Sequence, residues 1–296
     1  MLEPQRDQAE GLRRLFSRRS AHVVTVASGS NGVGATGTVV NLAGALAARG
    51  HRILAIDENY GPGNLAGSLG LRARRDLNDV VAGECGVEDA LLAAPGDITV
   101  LPAAAGVRGL SRLDATGQAR LAAALTRLGE RFDILLIDAR SGTVGGLTSL
   151  GHAVQDTIVV CSTASAAITE SYALIKRLHG LTGARRYRLL LNRVADDGAA
   201  RLIFDNLERV SRRHLGTPLE FLGQVPRDER TRRAAEMMQP VVTAFPASPA
   251  AAAFRRSAEA VAGWPADREG QGSLEGFLQR LFTMAPGGLA MNGVAA

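Results

Sequence analysis

The chain has 296 residues, 46% of them hydrophobic, and its 34 Lys and Arg against 29 Asp and Glu leave a net charge of +5. That size supports one substantial core with extensions at the ends, and no apolar run approaches membrane-spanning length. Its two cysteines, Cys85 and Cys161, fall far apart and outside any metal-binding or redox spacing, which points to a reducing compartment and argues against a cysteine metal site. The positive charge is carried almost wholly by arginine, since Lys176 is the one lysine. Solvated helix faces account for such clusters, and so does a surface for anionic lipid or DNA; composition alone leaves both open.

Residues 1–20 form a polar, arginine-rich extension with a short helical pattern and no apolar stretch of the signal-peptide kind, so a cytoplasmic chain is expected. The apolar run His22 to Ser28 (HVVTVAS) then reads as a buried strand. It leads into Gly29-Ser30-Asn31-Gly32-Val33-Gly34-Ala35-Thr36, which opens a helix running through Asn41, Leu42 and Leu46. Glycines between a strand and a helix let backbone N–H groups curl around phosphate, and a following Ser or Thr hydroxyl holds Mg²⁺. The glycines and Thr36 are present here. Ala35 stands where such a loop carries lysine.

Further along, Arg52–Asp57, Ile98–Leu101, Asp133–Asp138, Thr157–Cys161, Arg188–Asn192 and Phe221–Val225 read as strands. Helical patterns at Thr38–Arg49, Leu110–Leu128, Ala166–Leu181, Ala199–His214 and Ser248–Ala262 separate them. Apolar strands alternating with helices predict an α/β fold: a mostly parallel, doubly wound sheet covered on both faces, over residues 21–263. Ligands in such sheets bind at the carboxyl ends of the strands, where the glycine loop falls. Asp57 and Asp138 end two of these strands (LAIDEN, ILLIDAR), the place for carboxylates that hold Mg²⁺ or orient an attacking water; capping of the following turn is the plainer role. Asn192, Pro226 and Asp228 follow two others and are candidates for a base pocket.

Residues 264–296 comprise a polar linker, a helical stretch at 273–284 and a tail. Leu274, Phe277, Leu278, Leu281 and Phe282 share one face of that helix. A core helix and a helix lying in the membrane interface both fit this stripe.

These landmarks, in this order, resemble the MinD/ParA group of deviant P-loop ATPases, and within it the FlhG/FleN type. Asp7-Gln8-Ala9-Glu10-Gly11-Leu12-Arg13 is similar to that branch's DQAxxLR signature, and Ala167–Lys176 (AITESYALIK) to a second characteristic stretch. Leu101-Pro102 with Gly106, and Val225-Pro226-Arg227-Asp228 with Gln239-Pro240, also fit. The resemblance implies ATP or ADP with Mg²⁺ on Gly29–Thr36, the metal near Thr36, Asp57 and Asp138, and the two aspartates as catalytic groups. It further implies an SRP-type GTPase partner of the FlhF kind engaged through Asp7, Gln8, Ala9, Leu12 and Arg13. A peripheral position at the inner face of the cell membrane, flagellar basal-body components as further partners, and control of flagellar number and placement complete the expectation.

Four positions depart from the family pattern. Ser30 and Ala35 replace its two lysines, one of which reaches across an ATP-sandwich dimer; Asn59 replaces a carboxylate; and Arg140 replaces a glycine beyond Asp138. Phosphoryl transfer depends on charge stabilisation, and one arginine finger alone changes its rate by roughly 10³–10⁵. Weak or absent hydrolysis, and no robust ATP-dependent homodimer, are therefore expected. Two rivals remain: a working ATPase switch in which Arg140 compensates, and a ParA-like partition protein that binds nonspecific DNA. The C-terminal stripe and the DQAxxLR signature weigh against the second.

Overall fold

The computed structural model describes residues 21–61, 63–109, 113–139, 149–182, 185–264 and 274–284. Among the described residues eight strands form one sheet: β1 (His22–Ala27), β2 (Ile53–Asp57), β3 (Leu92–Ala94), β4 (Ile98–Pro102), β5 (Ile134–Asp138), β6 (Asp156–Ser162), β7 (Arg186–Val194) and β8 (Leu219–Pro226). Their spatial order is β3-β4-β2-β5-β1-β6-β7-β8, parallel throughout except for the antiparallel edge strand β3. The helices, in chain order, are α1 (Ala35–Ala47), α2 (Leu65–Ser68), α3 (Leu77–Ala82), α4 (Ala104–Gly109), α5 (Ala115–Arg131), α6 (Ser165–Thr182), α7 (Asp197–Leu215), α8 (Glu229–Glu236), α9 (Val241–Ala244), α10 (Pro249–Ala262) and α11 (Leu274–Met284). Two 3₁₀ turns, Val87–Ala90 and Leu150–Ala153, complete the described elements.

Alternation along the central strands divides the core. Val24, Val26, Ile53, Ala55, Ile134 and Leu136 join Val39, Leu42 and Leu46 of α1 and Phe254 of α10. Val23, Leu54, Ile56, Leu135 and Ile137 join Leu77 of α3 and Leu121, Leu125 and Leu128 of α5 on the opposite face. Both faces of β1, β2 and β5 are thus buried, which is why those strands read as continuous apolar runs. Local chemistry sets the helix ends. Asp76 accepts from the Asn78 and Asp79 N–H groups to start α3, and Ser248 with Pro249 starts α10. The helix expected over Leu110–Leu128 is α5, which begins after Asp114, whose side chain accepts from Gly117 N at 2.7 Å, and runs on to Arg131; a separate short helix, α4, lies before the expected range.

The C-terminal stripe packs on this second core face. Phe277 and Leu281 are 1% exposed, Leu274 is 8% exposed, and Leu278 is half-buried beside them. Gly129 of α5 makes room, since a Cβ there would lie 2.1 Å from Leu274 Cδ2. Arg280 Nε anchors the other side by donating to the Ala153 carbonyl at 2.7 Å. Of the two readings of the stripe, the core face is the one this structure adopts: these apolar groups find cover against α5 and the Leu150–Ala153 turn. The Phe282 side chain lies outside the described residues.

Candidate nucleotide site

Because β1 lies between β5 and β6, chain order reverses beside it, and the crevice at its carboxyl end is where such folds place ligands. The loop Ser28–Gly34 occupies that crevice. Gly34 (φ +95°) caps α1 in the left-handed region, and a Cβ on it would meet Asn192 Nδ2 at 2.3 Å. Gly29 packs directly against the backbone of Glu170 in α6, 2.2 Å from the place a Cβ would take. Glycine is thus required at both positions. Ser28 Oγ donates to the Ser30 carbonyl at 2.9 Å, and Asn192 Nδ2 donates to the Val33 carbonyl at 2.8 Å. With no acidic side chain in its first turn and no side-chain cap, the N-terminus of α1 presents its amides to a cavity of about 360 Å³. Ser28, Asn31, Gly32, Gly34, Ala35 and Thr36 form one wall of it.

The carboxylates behind the loop are unequal. Asp57 and Asp138 are register partners across β2 and β5, and both are buried. Asp57 accepts from Asn59 N and Ala66 N, each at 3.0 Å, so both its oxygens are committed to backbone. Burial nevertheless pushes its carboxyl above the usual range, against those bonds. Asp138 Oδ2 accepts from Thr36 Oγ1 at 2.8 Å, while Oδ1 is buried with no hydrogen-bond partner. Burial first, and then the neighbouring Asp57 charge, lift the Asp138 carboxyl to about 8. Glu58 turns to the other side, where Ser149 Oγ and Leu150 N donate to it at 2.6 Å each. The Asn59 amide donates to the Asp138 carbonyl at 3.0 Å.

Asn192, Pro226 and Asp228 line a second cavity, of about 460 Å³, which shares Gly34 and Arg193 with the first. Asp228 also accepts from Arg230 N at 2.9 Å and Ala250 N at 3.2 Å, tying α8 to α10. The loop residues, Thr36, the two aspartates and the three base-pocket candidates therefore gather around one crevice. Ala35 is 9% exposed and its methyl joins the core, leaving no cation at that position. Arg140, Asp7, Gln8, Ala9, Leu12 and Arg13 lie outside the described residues. Sequence reasoning passed over Arg193 and Glu58, although each was visible as a charged residue at a strand's carboxyl end.

The orphaned Asp138 Oδ1 beside the Thr36 hydroxyl fits a hard, oxygen-seeking cation such as Mg²⁺. Among the described residues no three His, Cys, Asp or Glu side chains converge as a metal centre of their own. Such an ion would thus draw most of its ligands from water and phosphate, the ordinary manner of Mg²⁺.

The CobQ/CobB/MinD/ParA nucleotide binding domain family matches residues 24–241. The antiactivator FleN of Pseudomonas aeruginosa is 35% identical over 270 residues, covering 91% of this chain and 96% of that protein. The septum site-determining protein MinD of Synechocystis is 31% identical over 179 residues, covering 58% of this chain and 64% of its own. Among solved structures, the cell division ATPase MinD of Pyrococcus furiosus superposes with a TM-score of 0.64 at 25% identity, over 83% of this chain and 100% of that one. MinD of Pyrococcus horikoshii, solved with Mg-ADP, shares the fold with a TM-score of 0.65 at 23% identity, over 86% of this chain and 99% of its own. From the family match over residues 24–241 and the similarity to FleN, the chain belongs to the MinD/ParA family of P-loop nucleotide-binding proteins and is of its FlhG/FleN type.

Proposed function

We propose that this chain is an FlhG-like regulator of flagellar number and placement whose core holds adenine nucleotide and turns it over little, working mainly as a scaffold. Ala35 carries this reading: a core-packed methyl stands where the family places its phosphate-binding lysine, while the backbone cradle around it keeps its shape. The similarity to FleN supports the flagellar assignment, and the Mg-ADP of a MinD relative supports the ligand class. Thr36 and Asp138 would hold the magnesium ion, which when bound neutralises charge on the phosphates. The amides of Gly32–Thr36 would bind phosphate oxygens, and the Asn192 cavity would receive the base. Asn59 cannot accept a proton or carry charge, and Asp57 is engaged by two amides, so little remains to activate a water. Ser30 removes the cation that would cross to a second subunit.

In this reading Asp7–Leu15 engages an FlhF-type GTPase. The helix around Leu274–Phe282 serves the membrane only after leaving its seat on α5, and basal-body components are the downstream partners. No described helix is long and apolar enough to cross a membrane. The test is calorimetric titration of the full chain with Mg-ATP, run beside a hydrolysis assay containing liposomes and an FlhF-type GTPase. Binding with negligible turnover is expected. Turnover at the rate of a lysine-bearing relative would overturn the scaffold reading.

A further inference from the structure

A nucleotide's phosphates need countercharge that backbone dipoles supply only in part, and positions 30 and 35 provide none. Among the described residues lining the loop cavity there is a single cation, Arg193. It stands at the carboxyl end of β7, opposite the loop. Its Nη1 donates to the Gly32 carbonyl at 3.0 Å, and its Nη2 lies 4.0 Å from where a Gly34 Cβ would sit. The guanidinium thus reaches the middle of the loop from outside.

Its placement is specific. Arg193 has φ +58°, in the left-handed region that a non-glycine residue adopts only at a cost. There the β7–β8 register shifts between Asn192 and Val194, and Asn192 Oδ1 accepts from Arg193 N at 3.0 Å. That turn lets Val194 return to the core while Arg193 projects outward. No described carboxylate forms an ion pair with it. Arg232, which lines only the neighbouring base cavity, is bound instead to Glu229 and Glu236. Arg193 therefore retains guanidinium donors beyond the Gly32 contact, and a planar fork of donors matches phosphate oxygens. Across the loop, the unpartnered buried Asp138 Oδ1 independently marks the crevice as built around a missing group.

We infer that Arg193 is the phosphate-binding cation of this loop, supplied from β7 of the same chain in place of the absent P-loop lysines. The inference rests on the proposal above that the loop takes nucleotide, and assigns the charge to a residue outside the motif. Its consequence is a loop that binds phosphate without carrying a cation of its own.

The experiment titrates the full chain, in Mg²⁺ buffer, with ATP and separately with adenosine, for the wild type and for Arg193→Gln and Arg193→Lys. Glutamine keeps a donor for the Gly32 carbonyl but no charge; lysine keeps the charge. Loss of a charge-assisted phosphate contact predicts ATP binding roughly ten- to hundred-fold weaker in Arg193→Gln. Arg193→Lys should stay within a few-fold of wild type, and adenosine affinity should be equal in all three. Unchanged ATP affinity in Arg193→Gln overturns the inference while leaving the nucleotide reading intact, because the arginine then only shapes the loop. An equal loss of ATP and adenosine overturns it in the same way. A wild type that binds neither ligand sinks both together. Thermal unfolding of each variant verifies that the exposed substitution has not disturbed the fold.

Discussion

Two buried aspartates sit on the strands flanking β1, at opposite ends of the sheet, and their chemistry is opposite too. Asp138 ends β5 at the ligand edge; Asp156 begins β6 at the far edge. Burial would raise both. At Asp156 the His22 ring (3.0 Å) and the guanidinium of Arg188 bond the carboxylate, and the charges of His22 and Arg186 add to them. Together these hold it at about 2. Arg188 in turn bonds Glu220 at 2.7 Å and lies 3.7 Å from the Trp264 ring. Asp138 faces carboxylates instead of cations and rises to about 8. The far edge is electrostatically closed, whereas the ligand edge is left short of positive charge, as a site awaiting a cation would be.

The most forceful way to break this contrast is Asp156→Ala. It would leave His22, Arg186 and Arg188 crowded around an apolar hole, and removing one partner from a buried ion cluster costs about 3–5 kcal/mol. Denaturant unfolding should show that loss. A change below 1 kcal/mol would mean that the far-edge network is dispensable. Phe277→Ala tests the same edge through its cover, because α11 reaches the network's neighbourhood at Ala153. A cavity in place of a fully buried phenylalanine predicts about 3 kcal/mol. Hydrogen exchange should place the weakening first in α11 and the Leu150–Ala153 turn, with the central strands still protected.

Acid sharpens the comparison further. His152, in that turn, is buried, and burial first, then Arg185 and Arg177, lowers its pKa from 6.5 to about 4. Between those values the unfolded chain binds a proton that the folded chain refuses, so the His152 contribution falls as pH drops from about 6.5 to 4, opposed over the same window by Asp138, whose raised carboxyl takes up a proton on folding. The expected size of the His152 contribution is on the order of 3 kcal/mol. Asp156 acts next: its folded value lies below its unfolded one, so its contribution is intact above about 4 and is lost as pH falls toward 2. The difference between the wild-type and His152→Leu stability-against-pH curves should isolate the His152 limb between about 6.5 and 4, with the Asp156 limb unchanged.

The far edge was poorly legible in the sequence, and the reason is geometric. His22, Asp156, Arg186, Arg188 and Trp264 come together only through strand pairing, each looking like an ordinary strand-start or linker residue. The inner strands were readable because burial on both faces writes continuous apolar runs, whereas the edge strand β8 is only half-buried over residues 221–224. Strand β3, three residues of Leu and Ala at an edge, writes none. Helix α8 escaped notice because Ala234 is its one buried residue, so it has no apolar period. At the ligand edge the loop and Asp138 were visible because glycine spacing and strand-end carboxylates are local signals. Arg193 showed only as a charge at a strand's end, since its role depends on a left-handed turn and a loop more than 150 residues away in sequence.

The smallest expected change in stability comes from the other half of the comparison, Asp138→Asn. Asparagine keeps the acceptor for Thr36 Oγ1 and removes a buried group that is costly to charge, so stability should move by no more than about 1 kcal/mol, toward gain. ATP affinity should lose its dependence on Mg²⁺, because an amide oxygen offers the ion no charge. Measured by titration with and without Mg²⁺, that pair of results would separate an aspartate kept for a ligand from one kept for the fold. If Asp138→Asn instead cost as much as Asp156→Ala, both ends of the sheet would be structural, and the uncompensated carboxyl at the ligand edge would need another explanation.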